Sequence, residues 1–308
     1  MSASLPVNAV PAASGLRALL RGLRRDRWAQ ASAALIVLFA LAAVAAPLLS
    51  ALEGQDPYTY HTELLANGTG AGVLGGISAK HWFGVEPLTG RDLFAIVVHG
   101  ARTSFLIGLA ATLVSIAIGV LLGAGAGYLG GRWDTLVSRA TDVLLGFPQL
   151  IFMIALGAVA PAAIPRPVLL IVVIGLFGWP RVARVIRAQT LSLRDRDFVR
   201  AAKAFGAGTG HVFRRELLPN LWAPIIVLAT VGIPEKIGME AALSFLGVGI
   251  APPTPSWGRS ISDAIGWVKT DPMFLIFPGA ALFVATLAFN LLGDGLRDVL
   301  DPKTGVRR

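Results

Sequence analysis

Apolar runs close to the length of a bilayer crossing recur along this chain. The first, "WAQASAALIVLFALAAVAAPLLS" over 28–50, contains no charged residue. About 20 consecutive apolar residues are enough for a helix to cross the hydrocarbon layer. Five further runs follow, at 98–129, 136–160, 167–188, 217–247 and 274–296. Of the 308 residues 55% are hydrophobic and 15% charged, where a soluble domain carries about 25% charged residues. Lipid offers backbone groups no hydrogen-bond partner, so runs of this length imply helices. The expectation is an all-α polytopic membrane protein with six transmembrane helices.

The same composition excludes several chemistries. The chain has no cysteine, which removes disulfides, thiolate metal sites and cysteine nucleophiles. Its four histidines, His61, His81, His99 and His211, are scattered without metal-ligand spacing. No lysine closes a G-x-x-x-x-G-K-[ST] loop, so no Walker-type ATP site is expected. Residues 1–27 are basic, and the apolar run behind them exceeds the usual 7–15-residue core of a signal peptide. An uncleaved first span at 28–50 is the reading adopted.

The net charge of +9 is accounted for by topology. Residues 51–97 carry five acids against Lys80 and Arg91, while 181–215 carry nine Lys/Arg against Asp195 and Asp197. Six spans put both termini and the 189–216 loop on one side, with Lys303, Arg307 and Arg308 in the tail. Positive charge marks the cytoplasmic side, so 51–97 is expected to be extracytoplasmic and 297–308 a cytoplasmic tail. No nucleic-acid partner is implied.

The stretch "FVRAAKAFGAGTGHVFRRELLP" (198–219) interrupts the apolar pattern. Phe198, Ala201, Ala202 and Phe205 recur at helical spacing as an apolar stripe, with Arg200 and Lys203 off it. Ser192 and Asp195 have the form of a capping pair for this helix. Gly206, Gly208 and Gly210 end it and permit a turn, and Pro219 marks entry to the next span. The result is a helix–glycine–helix elbow over 194–216. Read physically, such an elbow either lies in a partner's groove or rests on the lipid surface.

The elbow resembles the EAA loop of permease subunits in bacterial ATP-binding-cassette importers, whose pattern is E-A-A-x3-G-x9-I-x-L-P. Ala201, Ala202, Gly206, Leu218 and Pro219 match it, while Arg200 replaces the Glu and Glu216 the Ile. "HWFGVEPLTGRDLFAIVVHGARTSFLIG" (81–108), "EAALSFLGVGIAPPTPSWG" (240–258) and "NLLGDGLRDVLDP" (290–302) are similar to the dipeptide/oligopeptide/nickel branch. The span at 28–50 ahead of a five-helix core at 98–296 is similar to that branch's C-type subunit. The resemblance implies a type I importer core of MetI-like fold carrying di- or oligopeptides, or by the same mechanism nickel chelates or glutathione.

It also implies partners: a second homologous permease, two cytoplasmic ATPases and an extracytoplasmic substrate-binding protein, all around the lipid bilayer. ATP and magnesium would sit on the ATPases, and this chain would hold no cofactor and do no chemistry. Phe198, Arg200, Ala201, Ala202, Lys203, Phe205, Gly206, Leu218 and Pro219 would form the ATPase-coupling surface, transmitting ATPase motion as rigid-body rocking.

A few residues stand out against the apolar background. Glu235, Lys236 and Glu240 fall inside 217–247, where charge by default marks a pathway or a pair. Lys236 and Glu240 are four apart, which suits a structural pair; a place on the pathway is the other reading. Thr286, Asn290 and Asp294 share a helix face, and Asn290 is the candidate for a polar contact in the bundle. Gly119, Gly123 and Gly127, four apart, suit close helix packing or a flexible entry to a loop. Trp257 and Trp267 are read as interfacial anchors or as contacts for the binding protein.

Overall fold

A computed structural model describes residues 26–71, 74–161 and 163–300. The basic N-terminal residues before Asp26 and the tail residues Lys303, Arg307 and Arg308 lie outside the described residues. The helices are α1 (Arg27–Val44), α2 (Ala46–Glu53), α3 (Leu93–Leu129), α4 (Gly131–Gly146) and α5 (Gln149–Val159). They continue with α6 (Arg166–Arg194), α7 (Asp197–Ala204), α8 (Thr209–His211), α9 (Leu218–Phe245), α10 (Trp257–Ala264) and α11 (Met273–Leu300). A π-helical stretch, Val212–Leu217, joins α8 to α9. A two-residue hairpin, β1 (Leu65–Ala66) and β2 (Thr69–Gly70), pairs antiparallel between α2 and α3.

Five segments are long and apolar enough to cross a membrane: α1, α3, α6, the continuous Thr209–Phe245, and α11. The sixth expected span is broken. α4 and α5 meet at an 85° bend, at Phe147 and Pro148, because proline disfavours helical backbone in the residue before it. The two halves also differ in character. α5 is apolar after its first residue, Gln149, whereas α4 buries Val137 and Thr141 and sends Asp134 and Asp142 to arginines of α6.

The centre of the bundle is the pairing of α3 with α6. A side chain at Gly119 would lie 2.5 Å from Val182 Cβ, at Gly123 2.8 Å from Ala183 Cα, and at Gly127 2.8 Å from the Arg187 carbonyl. Gly175 on α6 receives Val114 of α3 in return. The four-residue glycine spacing is therefore a packing seam, and it continues as helix up to Leu129. α9, α11 and α1 close the bundle through Phe105, Ile237, Trp257 and Phe289.

Trp257 is neither an interfacial anchor nor a surface contact. It is 1% exposed, donates from Nε1 to the Val97 carbonyl at 2.9 Å, and packs edge-on against Phe39 and Phe105. The small Gly100 of α3 makes room for its ring. Trp267 packs with Leu93 and Phe274 beside Gly68 of the hairpin loop.

Segment 51–97 is a folded cap on the end of the bundle opposite the elbow. Arg91 clasps Glu86 through Nε (2.7 Å) and Nη2 (2.9 Å) and reaches the Pro253 carbonyl at 3.2 Å, tying cap to loop. Asp92 caps α3 by accepting from Ala95 N at 2.7 Å. That cap starts the helix at Leu93, earlier than the apolar run at 98–129.

Candidate functional site

The elbow is built on the ends of α3 and α6. α6 runs through Ser192 to Arg194, and Ser192 Oγ donates back to Gln189, so Ser192 and Asp195 do not cap α7. At its end Arg194 Nη1 reaches across to the Gly127 carbonyl at 3.1 Å, tying the ends of α6 and α3 together. α7 starts instead at Asp197 behind Arg196.

Its C-terminus is a glycine stop. Gly206 has φ +84°, Gly206 N donates to Lys203 O and Ala207 N to Ala202 O, both at 3.0 Å. That pair of bonds is a Schellman closure, which a residue in left-handed conformation permits. No neighbour lies within 4 Å of a side chain placed at Gly206, so conformation and not space selects glycine.

The apolar stripe read from spacing is divided between two faces. Val199, Val212 and Leu217 are fully buried under the elbow, with Phe198, Ala202, Ala207, Leu193 and Tyr128 packed on them. Lys203 Nζ lies 4.8 Å above the Tyr128 ring. Arg200, Ala201, Leu218 and Pro219 are exposed instead, and Phe205 is 91% exposed. Ala201 and Ala202 therefore do not share a face: Ala202 seats the elbow and Ala201 faces outward. Val199, the buried anchor, was hidden in the sequence by its position between Phe198 and Arg200.

The intramembrane charges are paired differently from the expectation. Lys236 Nζ lies 3.4 Å from Glu235 Oε2, and Arg181 Nη1 donates to Glu235 Oε1 at 2.8 Å. Lys236 turns from Glu240 because Gly178 of α6 leaves a groove in which its stem lies. Glu240 accepts instead from Ser104 (2.7 Å), Ser244 (2.8 Å) and Ser256 (2.8 Å), fully buried. Asn290 is exposed on α11, as is Asp294, so neither Asn290 nor its face partners join this cluster. Arg181 was legible only as one of several basic residues. Its signal was the three-residue spacing of Arg181, Arg184 and Arg187 against Glu235, Asp142 and Asp134.

A third polar cluster lies in the cap. His81 Nδ1 and Asp92 Oδ2 are 2.9 Å apart, and Trp82 N donates to Glu53 Oε1 at 2.6 Å. Burial raises the Glu53 carboxyl to about 7, with Asp92 adding to the rise and the Trp82 N–H opposing it. Burial likewise raises Asp92 and lowers His81, the latter helped by His61. Among the described residues no group of three or more His, Cys, Asp or Glu is arranged to hold a metal ion.

Residues 115–306 match the family of binding-protein-dependent transport system inner membrane components. Residues 15–67 match the N-terminal transmembrane domain of oligopeptide transport permease C. The chain is 37% identical over 298 residues to a dipeptide transport system permease protein DppC of Alkalihalophilus pseudofirmus, covering 97% of this chain and 93% of that one. It is 38% identical over 283 residues to a glutathione transport system permease protein GsiD of Escherichia coli, covering 92% and 89%. A solved chain of the MetNI methionine ABC transporter, in inward-facing conformations, shares the fold with a TM-score of 0.54 at 18% identity, covering 66% of this chain and 96% of that one. A seam of helices ending in a seated elbow, matched by family over most of the bundle, makes this chain a member of the binding-protein-dependent inner-membrane components, the permease subunit of an ABC importer.

Proposed function

We propose that this permease forms half of a translocation pathway for di- or oligopeptides, completed by a second homologous permease. An extracytoplasmic binding protein delivers the peptide, and two cytoplasmic ATPases carry ATP and magnesium, so the chain itself needs no cofactor. The names of its relatives, dipeptide and glutathione permeases, support a peptide cargo; glutathione is itself a short peptide. The acidic cap faces outward and the basic elbow faces the cytoplasm, in line with the positive-inside bias.

One observation carries the coupling role. Phe205 stands 91% exposed on an elbow whose opposite face is anchored by Val199, Val212 and Leu217. A large exposed aromatic on an elbow that also exposes Arg200, Lys203, Arg214 and Arg215 suits insertion into a pocket on a partner. Burying such a side chain contributes about 1.5–3 kcal/mol, roughly 10- to 150-fold in affinity.

Phe205→Ser and Ala201→Trp should therefore leave the permease inserted and paired with its homologue, yet weaken ATPase co-purification by about 10-fold or more. Ala202→Trp should act differently, by unseating the elbow from Val199 and Tyr128. Normal co-purification and normal ATP-driven uptake in both outward-facing variants would remove the elbow from the coupling surface.

A further inference from the structure

Between α6 and α9, two cations share one carboxylate. Glu235 receives Arg181 on one oxygen and lies 3.4 Å from Lys236 on the other. The neighbouring arginines are already matched, Arg184 with Asp142 at 2.8 Å and Arg187 with Asp134. The trio thus keeps one positive charge in excess. Lys236 is fixed in its groove, with a side chain 7% exposed, while that of Arg181 is 65% exposed.

Arg181 lies seven residues, about 10 Å by helical rise, inside the elbow-side end of the apolar run at 167–188. An exposed guanidinium inside that run is better satisfied against water or a partner than against lipid. Arg181, Glu235 and Lys236 line an open cleft of about 470 Å³ whose walls include Val182, Leu228 and Val231. That volume lies in the range of small-ligand sites, about 300–1,000 Å³. An apolar-walled cleft with one surplus cation selects an anion.

Resting on the reading of this chain as half of a peptide pathway, we infer that Arg181 is a waystation for the terminal carboxylate of the passing peptide. The guanidinium fork matches a carboxylate bidentately. When a peptide carboxylate takes Arg181, Lys236 still neutralises Glu235, so no charge is left bare. Glu235 then reclaims Arg181 as the peptide moves on. This competition keeps the carboxylate bound briefly, as passage requires.

The native chain has no cysteine, so Val231→Cys, one helical turn from Glu235 and lining the same cleft, reports on this spot alone. The importer is assembled in nanodiscs with partner subunits freed of reactive cysteines. It is then labelled with a sulfonate-bearing (anionic) or trimethylammonium-bearing (cationic) methanethiosulfonate. The anionic reagent should react faster, by about threefold or more after screening. Arg181→Gln should erase that preference, Arg181→Lys should keep it, and Glu235→Gln should enlarge it.

Equal rates for the two reagents, a preference untouched by Arg181→Gln, or no reaction with either would overturn the inference. Peptide uptake by the unmodified importer separates the two readings. Lost anion preference with intact uptake defeats the waystation alone, and an importer that carries no peptide defeats the cargo reading whatever the labelling ratio.

Discussion

Glu240 shows how a single carboxyl organises the part of the bundle nearer the cap. Its acceptors gather Ser104 from α3, Ser244 from its own helix and Ser256 from the approach to α10. Removing it leaves three buried hydroxyls without their acceptor, each at about 1–3 kcal/mol. Glu240→Ala should lower the thermal midpoint of the purified complex sharply, and Glu240→Gln, which keeps an acceptor oxygen, much less. Scanning both variants in one detergent tests this; equal midpoints would make the serine contacts incidental. The sequence named Glu240 but gave it the wrong partner. Spacing along α9 reveals the i+4 neighbour, whereas the groove at Gly178 and the serines opposite come from other segments.

The cap offers a second residue-level test, in pH. Glu53 titrates near 7 in the folded chain against an ordinary 4.5, so between those values the folded state holds more proton than the unfolded one. Stability from Glu53 is therefore complete below the ordinary value and falls as pH rises toward 7. His81, lowered from 6.5 and facing Asp92, Glu53, His61, Lys80 and Glu63, acts oppositely, losing stability as pH falls below its ordinary value. The difference in thermal midpoint between Glu53→Gln and the parent isolates the first effect. The variant should gain on the parent as pH is raised from about 5 to 8; a constant difference would exclude the Glu53 proton.

At the scale of elements, the glycine seam and the elbow's glycine stop make different demands. Gly123 is constrained by space, because any side chain meets the backbone of Ala183. Gly123→Val should therefore separate α3 from α6 and reduce the yield of inserted, detergent-stable protein. Gly206 is constrained by conformation alone, at φ +84° in open surroundings. Gly206→Val should cost about 1–2 kcal/mol locally, leaving insertion intact while reducing ATPase co-purification. If the two variants failed in the same assay, the distinction between seam and stop would be lost. The spacing of the glycines was plain in the sequence. The broken span at 136–160 was not, because the apolar residues of α5 masked the amphipathic α4. Only the partnership of Asp134 and Asp142 with α6 shows that half of this run faces charge.

For the whole molecule, the five unbroken apolar helices and their order were legible, since lipid admits few alternatives to apolar helices. The cap's fold was not, because it depends on contacts such as Arg91 to Pro253 O that join distant segments. Sidedness is directly testable in the cysteine-free chain. Thr69→Cys, in the cap hairpin, should react in intact cells with a membrane-impermeant thiol reagent, and Gly208→Cys, in the elbow, only after permeabilisation. The reverse pattern would invert the assigned orientation.

The α3–α6 seam has a mechanical consequence. Where Gly119, Gly123 and Gly127 bring helix backbones together, there is no layer of side chains to compress or shear, so the pair behaves as one stiff strut. The elbow is bolted to both members at once, through Tyr128 beside the end of α3 and Leu193 near the end of α6. Force applied at Phe205 therefore loads the two helices together. In the coupling role proposed above, it would arrive at the level of Arg181 and Glu235 as a displacement of the cleft wall, with little spent on bending along the way.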